Sequence, residues 1–512
     1  MTPQNQGVSD RRKASRFERY ELQNVARSII GDFHRVKVCH RHRVPVQKVR
    51  ILQEPTTKHA HFAGLMACGS VWACPVCSSK VSERRRIELN DGLATAETLG
   101  LLLLFETCTV PHELRTDLKK LRSGLSSARR DLLKDRKGQQ LARSFGLIGY
   151  VSALEVTHGL EHGWHPHGHA LRFLDPSKVD WLELARLVRL EALNCSDDVL
   201  LERYNALTDN DDSLGHDVAF NAAWTAFGSV LGGSPGAALL PGVNSLRFAW
   251  QFLQSPRWLH VCDRNGLGIP SFKHGFHVRN GDFAADYISK FGIDPKGTLW
   301  GPDREMTKSH LKKNPAASTK RPKHCSTWDL LRDVRDNLDD SGRKRSGALF
   351  KHFVQSFHRA KQLSWSTGLR ELLKVGRELT DEEIAALEPN KADLLCSLDD
   401  VQWAAIRRFN HRAQVLDAAE SDDPHELQDL LDDLVQRLSL ANEQLLPVSE
   451  QIARHELHQE ITRKRRKPSF QAPLLDTRGI DCDSPAYVSM MRAKCAARRS
   501  TLQARLAAIP DG

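Results

Sequence analysis

The alternation of apolar and polar positions divides the chain before any chemistry enters. The stretch Leu101-Leu-Leu-Leu-Phe-Glu-Thr-Cys-Thr-Val-Pro-His112 begins as a continuous apolar run and then alternates. That predicts a strand buried on both faces which emerges toward solvent. Residues 113–143 place leucines at 114, 118, 121, 125, 132 and 133, a spacing that predicts one long amphipathic helix. Two apolar-rich runs, 147–157 and 165–174, flank a polar segment holding Gly159 and Gly163, which reads as a β-hairpin. Strand, helix, strand, strand opens an α+β sandwich built on an antiparallel sheet. Residues 175–268 mix a helix near 179–193, acidic residues 209–212 and a Gly/Pro stretch at 232–242, and read as an insertion between core elements. Pattern returns with a short strand over 275–279, which passes through Asn280-Gly281 into a helix carrying Tyr287 and Lys290. Residues 330–465 are mostly helical in pattern, most regularly over 394–445.

Composition narrows the partner. A length of 512 residues suffices for two to four domains, and a formal net charge of +11 favours a polyanion, most simply nucleic acid. The longest apolar run, 99–105, is far short of the ~20 residues a membrane span needs. The first 35 residues are polar and basic without an apolar core, which predicts a mobile basic tail and no secretory signal. Eleven cysteines, an odd count and mostly scattered, point to a reducing, cytoplasmic setting. No G-x-x-x-x-G-K-[ST] loop occurs, which argues against a fused P-loop motor.

Four clusters carry candidate chemistry. Cys74 and Cys77 form a C-x-x-C knuckle with Cys68 six residues earlier. With Cys39 as fourth ligand, or His40, His42, His59 or His61 in its place, they would hold a structural zinc ion. A helix over 82–97 follows, with Arg84, Arg85 and Arg86 near its start, either as a solvated face or as phosphate contacts on DNA. In the hairpin, His167 and His169 share a strand face, and a turn centred near Glu161 puts Glu155 directly across from His167. Imidazoles plus a carboxylate suit Mn²⁺ or Mg²⁺ with positions left for a substrate phosphate. Tyr287 and Lys290, at i and i+3, share a helix face. A second basic patch, Arg463-Lys-Arg-Arg-Lys467, precedes an end whose composition predicts disorder.

Taken in order, these motifs resemble the plasmid rolling-circle replication initiators of the HUH endonuclease superfamily. Gly64-Leu-Met-Ala-Cys-Gly-Ser-Val-Trp-Ala-Cys-Pro-Val-Cys77 is similar to that family's zinc segment. Phe105-Glu-Thr-Cys-Thr-Val-Pro-His112 is similar to its first motif, Trp164-His-Pro-His-Gly-His169 to its metal motif, and Ala284-Ala-Asp-Tyr-Ile-Ser-Lys290 to its nucleophile motif. Ser364-Trp-Ser-Thr-Gly-Leu-Arg370 resembles a segment that recurs after the catalytic domain. The resemblance implies a tail (1–35), a zinc segment with basic helix (36–90), an HUH domain (91–300), a helical extension (301–390) and a helical C-terminal region (391–512).

It also implies a mechanism. His167 and His169, with Glu155 as third ligand, would hold the cation. Tyr287 would attack the scissile phosphate to leave a 5′-phosphotyrosine and a free 3′-hydroxyl. Lys290 would stabilise the phosphate or lower the tyrosine pKa. The implied partners are plasmid origin DNA, single-stranded at the nick, and a host helicase and polymerase. Two departures stand out. Gly168 occupies a position that is usually bulky and apolar, which predicts a locally looser strand. Phe283 stands where single-tyrosine relatives often carry a glutamate, with Asp282 and Asp286 off the face of Tyr287. The competing readings are a rolling-circle transposase or conjugative relaxase, and a non-catalytic zinc-containing DNA-binding regulator.

Overall fold

A computed structural model describes residues 3–32, 34–207, 218–280, 324–337, 339–388 and 392–440. The strands, in chain order, are β1 Val49–Gln53, β2 Ala60–Ala63, β3 Leu102–Thr109, β4 Phe145–Gly159, β5 Gly163–Val179, β6 Phe276–Asn280, β7 His324–Cys325, β8 Leu363–Trp365 and β9 Asp393–Leu398. The larger sheet runs β6-β3-β5-β4-β7, with β8 also on β4, and the pairings described below are antiparallel. The fold is therefore α+β, as the alternation predicts. The hairpin is longer than its apolar runs suggest and turns through residues 160–162. Gly163 closes it at φ 72°, where a Cβ would stand 2.9 Å from Leu114 Cα, so only glycine fits.

Helices α1 Pro3–Ile29, α2 Pro75–Thr98, α3 Leu118–Lys134, α4 Arg136–Ser144, α5 Trp181–Leu193, α6 Asp197–Ala206, α7 Val218–Leu231 and α8 Val243–Arg264 precede a short turn, α9 Phe272–Gly275. After it come α10 Thr327–Asp336, α11 Asp340–Ser356, α12 Leu369–Leu372, α13 Asp381–Ala386, α14 Asp400–Arg408, α15 Arg412–Ala419 and α16 Glu426–Leu440. One face of the sheet carries Leu104, Cys108, Val156, Trp164, Leu174, Phe276 and Val278, packed in a common core with α3, α8 and α11. The other carries Phe105, Val151, Ala153, Leu171 and Phe173 against Leu89, Leu93 and Ala96 of α2.

Four expectations are corrected. The single helix expected over 113–143 is two, because Asp135 leaves helical geometry and its carboxylate caps Gly138 N–H at the start of α4. Residues read as part of an insertion include α8, whose Phe248, Trp250, Phe252 and Trp258 are buried. At about 1.5–3 kcal/mol per buried large apolar side chain, α8 is core and not appendage. The expected basic tail is instead helix α1, with Tyr20, Leu22, Ala26 and, just past its end, Ile30 buried. Its basic composition hides an apolar face with three- to four-residue spacing. Finally, the C-terminal region is not wholly helical. Residues 393–398 form β9, which pairs with β1 in a second sheet, β2-β1-β9, covered by α14, α15 and α16 through Trp403, Ile406, Val415 and Leu434. Among the described residues no helix is long and apolar enough to cross a membrane.

Candidate functional site

Register builds the candidate site. Glu155 pairs with His167, Ala153 with His169 and Thr157 with His165 across β4 and β5. Thr107 and Thr109 of β3 pair with His169 and His167, and His277 of β6 pairs with Thr107. Directly opposed residues project to the same side of a sheet. One face thus carries His165, His167, His169, Glu155, Thr107 and His277, beyond the apolar part that α2 covers. The position of Glu155 across from His167 is the one expected from the sequence. His277 was overlooked, because alternation within β6 is visible in the sequence but its pairing with β3 is not.

These groups form two pairs and not a single triad. His169 Nε2 lies 3.0 Å from Glu155 Oε2, and its Nδ1 lies 3.1 Å from Thr107 Oγ1. Its ring stacks on Phe105 at 5.4 Å, and both His169 and Glu155 are only 4% exposed. His167 Nε2 instead lies 3.1 Å from His165 Nε2, while the His165 ring stacks on His112 at 4.2 Å. His112 is held in turn by its Nδ1, 3.1 Å from Val110 O. Tyr287, Lys290, Phe283, Asp282 and Asp286, with the basic patch 463–467, lie outside the described residues.

The opposite face explains Gly168. A Cβ there would stand 2.6 Å from Cδ and 2.8 Å from Nε of Arg129 on α3. That arginine reaches under the strand and donates to Ala153 O at 3.1 Å and to His169 O at 2.5 Å, tying β4 to β5 behind the histidines. Burial holds its pKa below the ordinary arginine value. The glycine therefore makes room for the Arg129 guanidinium. Beside it, Arg172 Nη2 pairs with Glu106 Oε1 at 2.7 Å, and Trp250 Nε1 donates to Glu106 Oε2 at 3.0 Å. Burial alone would raise the Glu106 pKa, but Arg172 and these hydrogen bonds outweigh it and hold the carboxylate below its usual range.

The cysteines gather as expected. Cys39, Cys68, Cys74 and Cys77 are buried with all four Sγ atoms within 4.8 Å of one another. Among the described residues they are the group that brings at least three candidate ligand atoms so close. Sγ separations of 3.7 Å (Cys39–Cys74), 3.4 Å (Cys39–Cys77) and 3.6 Å (Cys68–Cys77) approach the edge of a tetrahedron, about 3.8 Å for a Zn–S bond of about 2.3 Å. Cys74 caps α2, accepting from Cys77 N–H, with Pro75 in the first turn. Backbone N–H groups of Cys68 and Ser70 point at Cys39 Sγ and Cys68 Sγ, and Gln23 Nε2 donates to Cys74 Sγ at 3.1 Å. Such donors suit thiolates. The cluster can hold zinc, with Cys39 and not a histidine as fourth member.

The arginine run divides. Arg85 is buried and pairs with Glu88 and Asp381, each at 3.3 Å, so it has partners within the protein. Arg86 pairs with Glu83 at 2.7 Å. Arg84 has a side chain 47% exposed, though it also reaches Glu88 at 3.1 Å.

Comparison with known proteins places limited similarity beside this geometry. No protein-family model matches, and no solved structure does. The neomycin resistance protein of Streptomyces cyanogenus is 30% identical over 21% of this chain and 30% of its own length. Protein rep of Streptomyces lividans is 27% identical over 21% of this chain and 29% of its own length. The chain thus spans under a third of either relative.

Proposed function

We propose that the chain initiates rolling-circle replication of a plasmid by nicking one strand of its origin as an HUH-type endonuclease. The observation that carries this reading is the register of β4 on β5, which sets Glu155 opposite His167 and bonded to His169 on one sheet face. The similarity to Protein rep and the net charge of +11 support it.

In this reading the Tyr287 hydroxyl attacks the scissile phosphorus in line. The bond to the 3′-oxygen breaks, that oxygen takes up a proton, and the 5′ end stays on the protein as a phosphotyrosine. The phosphodiester energy is conserved, so a later transfer to a 3′-hydroxyl rejoins the strand. Lys290 steadies charge on the phosphate. A divalent cation, Mn²⁺ or Mg²⁺, would polarise the phosphate when bound. His167, His169 and Glu155 would hold it: Glu155 lies across from His167 on the same sheet face, and its Oε2 lies 3.0 Å from His169 Nε2. Thr107 and Phe105 fix the His169 ring. The free 3′-hydroxyl would prime a host polymerase behind a host helicase, in the cytoplasm.

The test is cleavage of a single-stranded origin oligonucleotide, read on a denaturing gel with peptide mapping. The 3′ fragment should stay covalently attached through Tyr287, and Tyr287→Phe should bind the DNA yet form no adduct. An adduct that persists in the phenylalanine variant, or binding with no cleavage by the native chain, would refute the proposal; the latter is what a non-catalytic regulator would give.

A further inference from the structure

We infer that α10 and α11 form a helix-turn-helix unit whose second helix reads the major groove of double-stranded DNA. This element lies outside the histidine face and does not depend on Tyr287.

Three helices build the unit. α10 ends at Asp336 and α11 begins at Asp340, joined by residues 337–339. Asp339 caps α11, its carboxylate accepting from Ser341 N–H at 3.1 Å and from Gly342 N–H at 2.9 Å. A Cβ at Gly342 would stand 2.5 Å from Asn337 Nδ2, so glycine lets the connection close tightly. Ser346 of α11 bonds to Asp333 of α10, and Phe350 packs on Trp328 at 6.0 Å. Helix α1 completes the group. Arg332 Nε of α10 reaches Glu18 Oε1 at 2.8 Å, and a Cβ at Gly347 of α11 would touch both Ile29 of α1 and Val334 of α10. Two helices locked across a short connection are the arrangement that presents the second one to a groove.

Charge selects the partner. No Asp or Glu occurs between Ser341 and Arg370. At about 3.6 residues per turn, Lys344, Arg345, Ala348, Lys351 and Gln355 share one exposed face of α11. Asp340 pairs with Arg343 and Lys344, whereas Arg345 and Lys351 have no carboxylate partner among the described residues. The opposite face is anchored, with Phe353 on Trp72 at 6.0 Å and on Trp164 at 6.1 Å. A helix about 10–12 Å across fits a major groove about 12 Å wide, where Arg and Lys donate to guanine edges and Ala348 permits close approach. The deep, narrow major groove of an RNA duplex would exclude it. Trp164 lies on the sheet face opposite His165 and His167, so duplex reading and the proposed strand cleavage use opposite sides of one sheet.

The test is selection. The full-length native chain is incubated with a pool of short random-sequence DNA duplexes, and the bound duplexes are recovered and sequenced. An enriched motif is expected. Arg345→Ala/Lys351→Ala removes two exposed side chains and should keep the fold. It should lose the enrichment and bind the recovered duplex about 10–100-fold more weakly, while cleaving a single-stranded origin oligonucleotide as the native chain does. No enrichment by the native chain, enrichment that survives in the variant, or equal binding of an RNA duplex of the same sequence would overturn the inference. So would a variant that loses single-strand cleavage together with enrichment. A native chain that enriches a motif but cleaves nothing would refute the proposed nicking and leave the reading helix standing.

Discussion

Gly168→Leu places a bulky apolar side chain against Arg129, and it should be strongly destabilising. In an ordinary strand, replacing glycine relieves a penalty of roughly 0.5–1 kcal/mol. At this position the new Cβ meets Arg129 at 2.6 Å (Cδ), 2.8 Å (Nε) and 3.0 Å (Cζ). Arg129 cannot swing aside at little cost, because its guanidinium is bonded to Ala153 O and His169 O. Hydrogen bonds from a charged donor are worth about 1.5–3 kcal/mol each, and overpacking adds about 1–3 kcal/mol. The net loss should be about 4 kcal/mol. In an Arg129→Ala background the leucine enters vacated space, and its cost should fall to about 1 kcal/mol. Urea unfolding of the native chain, both single variants and the double variant closes the cycle. A coupling near 3 kcal/mol is expected, whereas additivity within about 0.5 kcal/mol would show that the glycine is not there for the arginine.

Two further predictions follow from the cysteine knuckle and the basic helix. The purified protein should carry about one zinc per chain and the Cys74→Ser/Cys77→Ser variant essentially none, by metal analysis; unchanged content would exclude the cluster as the binding site. Arg85→Ala should cost about 1–3 kcal/mol in urea unfolding, by removing the buried donor to Asp381 and Leu379 O while Glu88 keeps Arg84 and Arg370, and Arg84→Ala should leave stability in place and reduce the salt slope of DNA binding by about 1. Equal stability of the two variants would contradict the division of the run.

What the sequence made legible was local. The hairpin register follows from two alternating strands joined by residues 160–162, so a turn placed by eye already pairs Glu155 with His167. The cysteine set is legible because its knuckle is contiguous. Helix α1 was hidden because its basic residues dominate composition while its buried positions are spread over Tyr20, Leu22 and Ala26. Helix α8 was hidden because Pro256 interrupts its interior and it is apolar on several sides, so it shows no clean stripe. Strand β9 was missed because its partner, β1, is supplied from the other end of the described chain, with Val49 opposite Leu398. A strand is stabilised by neighbours that a local window does not contain.

That distant pairing bears on the cysteines. Zinc held by four thiolates is a dianion, and a buried dianion needs compensating charge. Arg412 of α15 is fully buried and donates to Gln23 Oε1 at 2.6 Å, Asn24 Oδ1 at 2.9 Å and His40 O at 3.1 Å, all neutral acceptors. Gln23 in turn donates to Cys74 Sγ. Arg27 of α1 stands nearby, its pKa pushed down to about 10 by burial and by Arg412, and pulled back up by Cys39 and Cys74. Buried Arg412 and half-buried Arg27 would offset the charge of a zinc tetrathiolate. Zinc bound at the knuckle would thus join α1, the knuckle and the C-terminal helices into one electrostatic unit. Chelating the zinc should expose α15 and β9 to amide hydrogen exchange before the large sheet opens. Simultaneous exchange of both regions would show that Arg412 is held by packing alone.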